Sequence, residues 1–288
     1  MVTMKKTASA LLLCLISALT TFAQDKTLTV MTFNIRYNTP RDSVNAWPNR
    51  KDKVASQILF HQPQVLGVQE ALWDQMDDLA KALPGYKFIG VGRDDGDKKG
   101  EFSAIFYDAA RLTLLDQRTF WLSETPETVG SKGWDAAICR IVTYGRFRDN
   151  KTKKEFYHFN THFDHIGKVA RRESAKLLLK KVQEIAGKTP VVITGDFNAT
   201  PTDEPIQVIV NQQDPQRLTD AKAISKTPHY GPNSTFNSFR AHDIGNEPID
   251  YIFLKGNWGV NKHATISQTW KGLFASDHFS VVAELRFP

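Results

Sequence analysis

Apolar and polar positions alternate with period two over Leu28–Phe33, the pattern of a strand with one buried face, and the run delivers Asn34 and Arg36 at its end. The period then changes. Trp47-Pro48-Asn49 opens a helix carrying Val54, Ile58 and Leu59 on one side, and Pro63 ends it near His61 because proline disfavours helical geometry in the residue before it. Val65–Glu70 is a short apolar strand terminating in a carboxylate, and Leu72–Leu83 is the next helix, stopped by Pro84-Gly85. The middle of the chain is strand-rich, with runs at 86–91, 102–107, 112–120, 137–147 and 155–163, and a helix follows over 168–186. Val191-Val192-Ile193 is a buried strand broken by Thr194-Gly195. From 202 to 239 prolines interrupt the pattern, after which 248–254 and the segment 275–285 read as the last strands. Strands and helices alternate early, strands cluster in the middle, and the late part repeats the early style. This predicts an α/β fold with two sheets packed face to face and helices outside.

Two loops read plainly. The turn at Asp149-Asn150, followed by Lys151, Lys153 and Lys154, is a solvated hairpin end. Gly92–Gly100 is polar and glycine-rich but lacks the ligand spacing of a calcium loop, so it reads as a mobile rim loop.

The N-terminus changes the account of compartment. Lys5 and Lys6, an apolar run over 8–19 and small residues to Ala23 form a secretory signal peptide, too short for a comfortable membrane span. Cleavage after Ala23 is expected, which divides the chain into a signal peptide, 1–23, and one domain, 24–288. Cys14 raises a lipoprotein anchor as a competitor, but Leu13 stands where a lipobox prefers a small residue. A secreted or periplasmic protein is therefore expected, with no transmembrane segment in the mature chain. Cys139 is then the only thiol left, so no intrachain disulfide is available and stability must come from packing. The 37 basic residues, less the two in the signal, against 31 acidic ones leave a mature charge of +4. That mild excess suits a phosphorylated substrate without demanding nucleic acid.

Candidate chemistry gathers where strands end. Asp196 and Asn198 leave a buried strand two residues apart, so a carboxylate base or metal ligand stands beside a neutral amide, the pairing that phosphate-ester hydrolysis needs. Glu70 and Asp250 are acids on inner strands, costly to bury unless paired, hydrogen-bonded or bound to a cation. His162 ends another strand, and without cysteines or a helical histidine pair it suits acid/base work or phosphate contact better than zinc. Asp277-His278 stands at the mouth of the final strand.

Thr32-Phe33-Asn34, Gln69-Glu70, Asn160-Thr161-His162, Gly195-Asp196-Phe197-Asn198, Ile249-Asp250-Tyr251 and Ser276-Asp277-His278 together resemble, in order, the motifs of the endonuclease/exonuclease/phosphatase superfamily, which has the deoxyribonuclease-I-like fold. The resemblance runs from about Leu28 to Leu285. It implies a four-layer α/β sandwich with two central mixed β-sheets, and a site at one end of them. It further implies Glu70 as the main Mg2+ ligand, with Asn34 and Asp277 as further ligands or orienters and Mn2+ as a substitute ion. By the same resemblance, Asp196 activates the attacking water and Asn198 holds it or the transition state. His278 contacts the scissile phosphate with Asp250 behind it, His162 is a second such histidine, and Arg140 binds phosphate.

Substrate is less legible. No ordered basic stripe, single-strand-stacking groove or membrane-entering hairpin stands out, so a small phosphorylated substrate is expected over nucleic acid, with Arg140 and Arg172 as its binding residues and the protein a monomer. Trp121 and Trp134 either wall a substrate pocket or simply pack. A nonspecific extracellular nuclease and a sphingomyelinase-like phospholipase are the alternatives within the class. Outside it stands a non-catalytic binding module of the same fold, against which the intact acid, amide and histidine set speaks.

Overall fold

The computed structural model describes residues 27–242 and 245–288; the signal peptide and Cys14 fall outside them. In chain order the elements are β1 (Thr27–Asn34), α1 (Lys51–His61), β2 (Val65–Ala71), α2 (Trp73–Ala82), β3 (Tyr86–Ile89), β4 (Phe102–Asp108), β5 (Leu112–Trp121), β6 (Ile141–Asp149), β7 (Glu155–His162), α3 (Lys168–Ala186), β8 (Val191–Asp196), α4 (Glu204–Val210), β9 (Thr219–Asp220), β10 (Asp250–Lys255), β11 (Gly259–Ile266), β12 (Thr269–Trp270), β13 (Leu273–Phe274) and β14 (Ser280–Arg286). Two six-stranded sheets result, ordered β11-β14-β1-β2-β4-β3 and β5-β6-β7-β8-β10-β9. Each is mixed: β1 and β2 are parallel, as are β7 and β8, and the other pairs are antiparallel.

Strand periodicity generates the four layers. In β1, Leu28 and Val30 point between the sheets while Met31 and Phe33 point outward to Val54, Ile58, Met76 and Leu79 of α1 and α2. In β8, Val192 points between the sheets while Val191 and Ile193 pack under Leu178, Leu179 and Val182 of α3. The expected sandwich of two mixed sheets with helices outside is therefore the fold observed.

The inner faces are not uniform along their length. β1 runs Leu28, Val30, Thr32, Asn34 on its inner face, and β7 runs Phe156, His158, Asn160, His162. The interlayer is thus apolar at one end and polar at the other. Gln69 Nε2 donates to Thr32 Oγ1 and Asn160 Oδ1, Thr194 Oγ1 donates to the same Asn160 oxygen, and Asn160 Nδ2 donates to the carbonyls of Val68 and Ala104. Gly67 makes room for this seam, since a Cβ there would lie 2.1 Å from Thr194 Oγ1 and 2.3 Å from Asn160 Oδ1.

Several boundaries differ from expectation. A short 3-10 turn, Trp47–Asn49, precedes α1, and Leu59 lies on its exposed side. The expected strand from 137 begins only at Ile141, because the Ala137 and Ile138 amides donate to Asp164 instead of a ladder. α4 forms in the proline-rich stretch because Pro205 sits in its first turn, where a missing N–H costs nothing. The 92–100 loop is a closed hairpin. Gly92 N–H donates to Asp97 O, Asp94 N–H to Lys99 O, and the Trp121 indole N–H to Arg93 O.

Candidate active site

At the polar end of the interlayer, strands that finish there and strands that start there deliver their side chains to one cleft. β1, β7 and β8 end at Asn34, His162 and Asp196, and β2 ends one residue past Glu70, while Glu101, Arg140, Asp250 and His278 stand at or just before the starts of β4, β6, β10 and β14. Register places His162 opposite Asp196, and Asp196 opposite Asp250, in one row across three strands. The cleft holds about 600 Å³ and is lined by Glu70, Asp196, Asp277, both histidines and Arg140, with Tyr37, Ile138 and Phe236 as its apolar surfaces.

Backbone irregularity aims three of the polar residues. Arg36, Glu70 and Asn198 all have positive φ, at 58°, 63° and 47°. Glu70 sits in a break of register between β2 and β4, a bulge that turns its side chain out of the strand's alternation and into the cleft. Such conformations cost about 1–3 kcal/mol each and cluster where function demands a particular aim.

Asn34 Nδ2 donates to Glu70 Oε1 and to Asp196 Oδ2, both at 3.0 Å, and its Oδ1 accepts from Arg36 N. Its amide thus orients the two acids. Glu70 Oε2 accepts from Tyr37 N at 3.2 Å. Asp277 Oδ2 lies 3.8 Å from Arg36 Nε, and the Ser276 hydroxyl bonds the Asn34 carbonyl at 2.8 Å, tying the last loop to the first strand. Burial pushes the Asp277 carboxyl up.

Asp250 Oδ2 accepts from His278 Nδ1 at 2.9 Å, so the aspartate stands behind this histidine. Burial works against the imidazolium, but Asp250 and Asp196 outweigh it and hold His278 well above its usual range. Asp196 itself is pushed up to about 7 by burial and then by Asp250. His162 goes the other way, held neutral by burial and by Arg140. Asn198 Nδ2 donates to the Phe163 carbonyl, so it must also be the donor to His162 Nε2, both at 3.0 Å. Both amide hydrogens of Asn198 are therefore committed, and they place the His162 proton on Nδ1.

Arg140 is 4% exposed. Nη2 donates to His165 Nδ1 at 3.0 Å, Nε lies 3.6 Å from Asp164 Oδ2, and neither Nε nor Nη1 has a hydrogen-bond partner. Asp164 is anchored by the amides of Ala137, Ile138, Ile166 and Gly167. Beside Arg140, Arg93 Nη1 and Nη2 grip Glu101 at 2.7 and 2.9 Å. Burial pushes the Glu101 carboxyl up against the pull of Arg93.

Three sequence candidates stand elsewhere. Arg172 faces away on α3, bonded to Glu173 and near Glu204. Trp121 is buried with its N–H on Arg93, and Trp134 does not line the cleft; Tyr37 and Phe236 supply its aromatic surface instead. No sequence pattern assigns Glu101 or Phe236 to the site. They lie in loops where no periodicity announces a shared destination.

The donor set fits a divalent cation. Glu70, His162 and Asp196 each offer an atom within 4.8 Å of the others, as do Asp196, Asp250 and His278, and Asp250 Oδ1 is buried without a hydrogen-bond partner. Oxygen donors dominate and sulfur is absent, the chemistry of a hard ion.

A two-sheet sandwich with acids, histidines and an arginine converging at one end of its interlayer defines a class of phosphoester hydrolases. A sequence profile of the Endonuclease/Exonuclease/phosphatase family matches residues 31–278, and the chain belongs to that family. A structure of an endonuclease/exonuclease/phosphatase from Bacteroides vulgatus superposes with a TM-score of 0.86 at 40% identity, covering 91% of this chain and 99% of that one. A mannosyl-6-phosphatase from Bacteroides thetaiotaomicron VPI-5482 superposes with a TM-score of 0.86 at 38% identity, covering 90% of this chain and 100% of that one. Nocturnin of Drosophila melanogaster is 25% identical over 279 residues, 83% of this chain and 42% of its own. The chain spans about half the length of the curated relatives it matches. Among the described residues no helix is long and apolar enough to cross a membrane.

Proposed function

We propose that this protein is a secreted, Mg2+-dependent hydrolase of a small phosphomonoester, with a sugar phosphate as the first candidate. The observation that carries the reading is Arg140: a buried guanidinium with two unpartnered N–H positions on a cleft that also holds His278 and Asp196. Asp164 offsets the charge at Nε and His165 takes a hydrogen bond from Nη2, so the buried donors of Nη1 are the ones left over, and a phosphoryl oxygen in the cleft can accept from them. The likeness to a mannosyl-6-phosphatase over nearly the whole chain supports the same choice.

A divalent cation held by Glu70, with Asp277 and Asn34 at hand, would neutralise phosphoryl charge and polarise the P–O bond. The protein's own groups then divide the work. Asp196, raised toward neutrality, accepts a proton from water as the water oxygen bonds phosphorus. His278, kept charged by Asp250, and Arg140 donate to the phosphoryl oxygens, whose charge grows in the transition state. The P–O bond to the alcohol breaks with its electron pair on the alcohol oxygen, and the proton that Asp196 took from the water passes through solvent to that oxygen, which restores the carboxylate. His162 and Asn198 hold the end of β7 against the Asp196 turn.

Assay of the mature protein on sugar phosphates, phenyl phosphate, duplex DNA, RNA and choline phospholipids, with Mg2+, Mn2+ or chelator, tests the reading. Glu70→Gln and chelation are each expected to remove most turnover. Full activity in excess chelator, or a marked preference for a nucleic acid with a steep salt dependence, would overturn it. Export is checked by mass spectrometry of protein recovered outside the cytoplasm, whose first residue should be Gln24.

A further inference from the structure

Glu101 is out of place in a cleft built for an anion. It lines the same space as Glu70 and Arg140, and its charge repels a phosphate. Its binding to Arg93 does not explain why Glu101 faces the cleft rather than solvent. The pair is also held rigidly. Arg93 O accepts from the Trp121 indole N–H at 2.7 Å and from Cys139 Sγ at 3.5 Å, and Arg93 N donates to Glu101 O at 3.2 Å. A carboxylate has about four lone-pair sites, and Arg93 occupies one on each oxygen, which leaves acceptor capacity for a ligand. Ile138 supplies an apolar surface in the same cleft. A fixed acceptor near a phosphate site, with an apolar surface at hand, suits an alcohol that carries its own O–H donors.

We propose that Glu101, fixed by Arg93, is the specificity-determining acceptor for hydroxyl groups on the substrate's alcohol, selecting phosphomonoesters of polyhydroxylated compounds such as hexoses. The inference rests on the phosphomonoesterase reading above and extends it to the leaving group. The same carboxylate acts against competitors. A nucleic acid strand brings a second phosphate toward Glu101, where like charge repels it, and a phenyl or lipid alcohol offers no hydroxyl donor to the acceptor positions that Arg93 leaves open.

The test is the ratio of kcat/KM on mannose 6-phosphate to that on phenyl phosphate, measured with Mg2+ for the wild type, Glu101→Gln, Glu101→Asp and Arg93→Lys. Loss of a hydrogen bond to a charged acceptor is worth about 10–100-fold, so the ratio should fall by that factor in Glu101→Gln. It should also fall in Glu101→Asp, which keeps the charge but withdraws it by one methylene. Arg93→Lys, which cannot hold both oxygens in a fork, should lower the ratio in the same direction. A purely structural ion pair would lower both rates together, and an unchanged ratio in variants with wild-type circular dichroism overturns the proposal. Calorimetric binding of the same two compounds to chelator-treated wild type and Glu101→Asp reads the preference without turnover. No preference for mannose 6-phosphate there sinks the subsite, whereas absent turnover with that preference intact sinks only the hydrolase reading.

Discussion

Arg50 offers the sharpest test of how the cleft is held together. It is 1% exposed, at the start of α1, and among the described residues no carboxylate is hydrogen-bonded to it. Its guanidinium instead donates to four carbonyls: Nε to Asn45 at 2.8 Å, Nη1 to Ile35 and to Ala275 at 3.2 Å, and Nη2 to Arg36 at 2.6 Å. Those carbonyls belong to the loop after β1, which carries Arg36 and Tyr37, and the loop before β14, which carries Asp277 and His278. Burial lowers the Arg50 guanidinium to about 10, even with Asp277 and Asp42 pulling the other way, and it stays charged at neutral pH. Arg50→Met would leave those carbonyls without a donor. Hydrogen bonds from a charged group are worth about 1.5–3 kcal/mol each. Those to Asn45 and Arg36 are only partly buried, so water replaces some of them. A net loss of about 3–5 kcal/mol is expected, comparable to stripping a buried charge network of one partner. Slack in these loops should also raise the Mg2+ concentration for half-maximal activity by about 10-fold, the usual scale for residues supporting metal ligands. Urea unfolding and Mg2+ titration of turnover measure the two effects, with Arg50→Lys recovering part of each. Unchanged urea and Mg2+ midpoints in Arg50→Met would refute the clamp.

Asp250→Asn should lower kcat by about 10²–10³-fold, within the range of acid–base groups, and leave the Mg2+ midpoint in place; a weakened Mg2+ response would make Asp250 a ligand instead of the support of His278. His158, fully buried on Thr194, is lowered by burial to about 3 from an unfolded value of 6.5. Its contribution to stability is therefore complete above pH 6.5 and is lost as pH falls toward 3, at about 1.4 kcal/mol per pH unit. The acid-side slope of unfolding free energy should be shallower by that amount in His158→Gln, and equal slopes would contradict the assignment. Gly67→Ala should cost about 1–3 kcal/mol by overpacking the seam at Thr194 and Asn160, whereas Gly85→Ala, with nothing within 4 Å of its Cβ, carries only the strain of its positive φ. Comparable stability of the two variants would show that the seam yields freely.

Period-two alternation by itself sorts β1 and β8 into inner and outer faces, because a side chain's face is a local property of an extended backbone. The same locality makes Asn34, Glu70, His162, Asp196 and Asp250 legible as an amide, three acids and a histidine at strand edges. Their order along the chain carries the family resemblance. Glu70 shows where locality ends: its aim into the cleft depends on a positive φ and a register break that only pairing with β4 creates. Arg172 and Trp134 stand near suggestive motifs, yet the helix and loop that carry them leave them off the cleft. Arg93, Glu101, Arg140 and His165 meet only because β4 and β6 start at the edge where β7 and β8 end. Strand polarity and order in a sheet are settled by contacts among residues far apart in sequence, so the residue types at this site are readable from the chain, while the cleft that joins them is decided by tertiary packing.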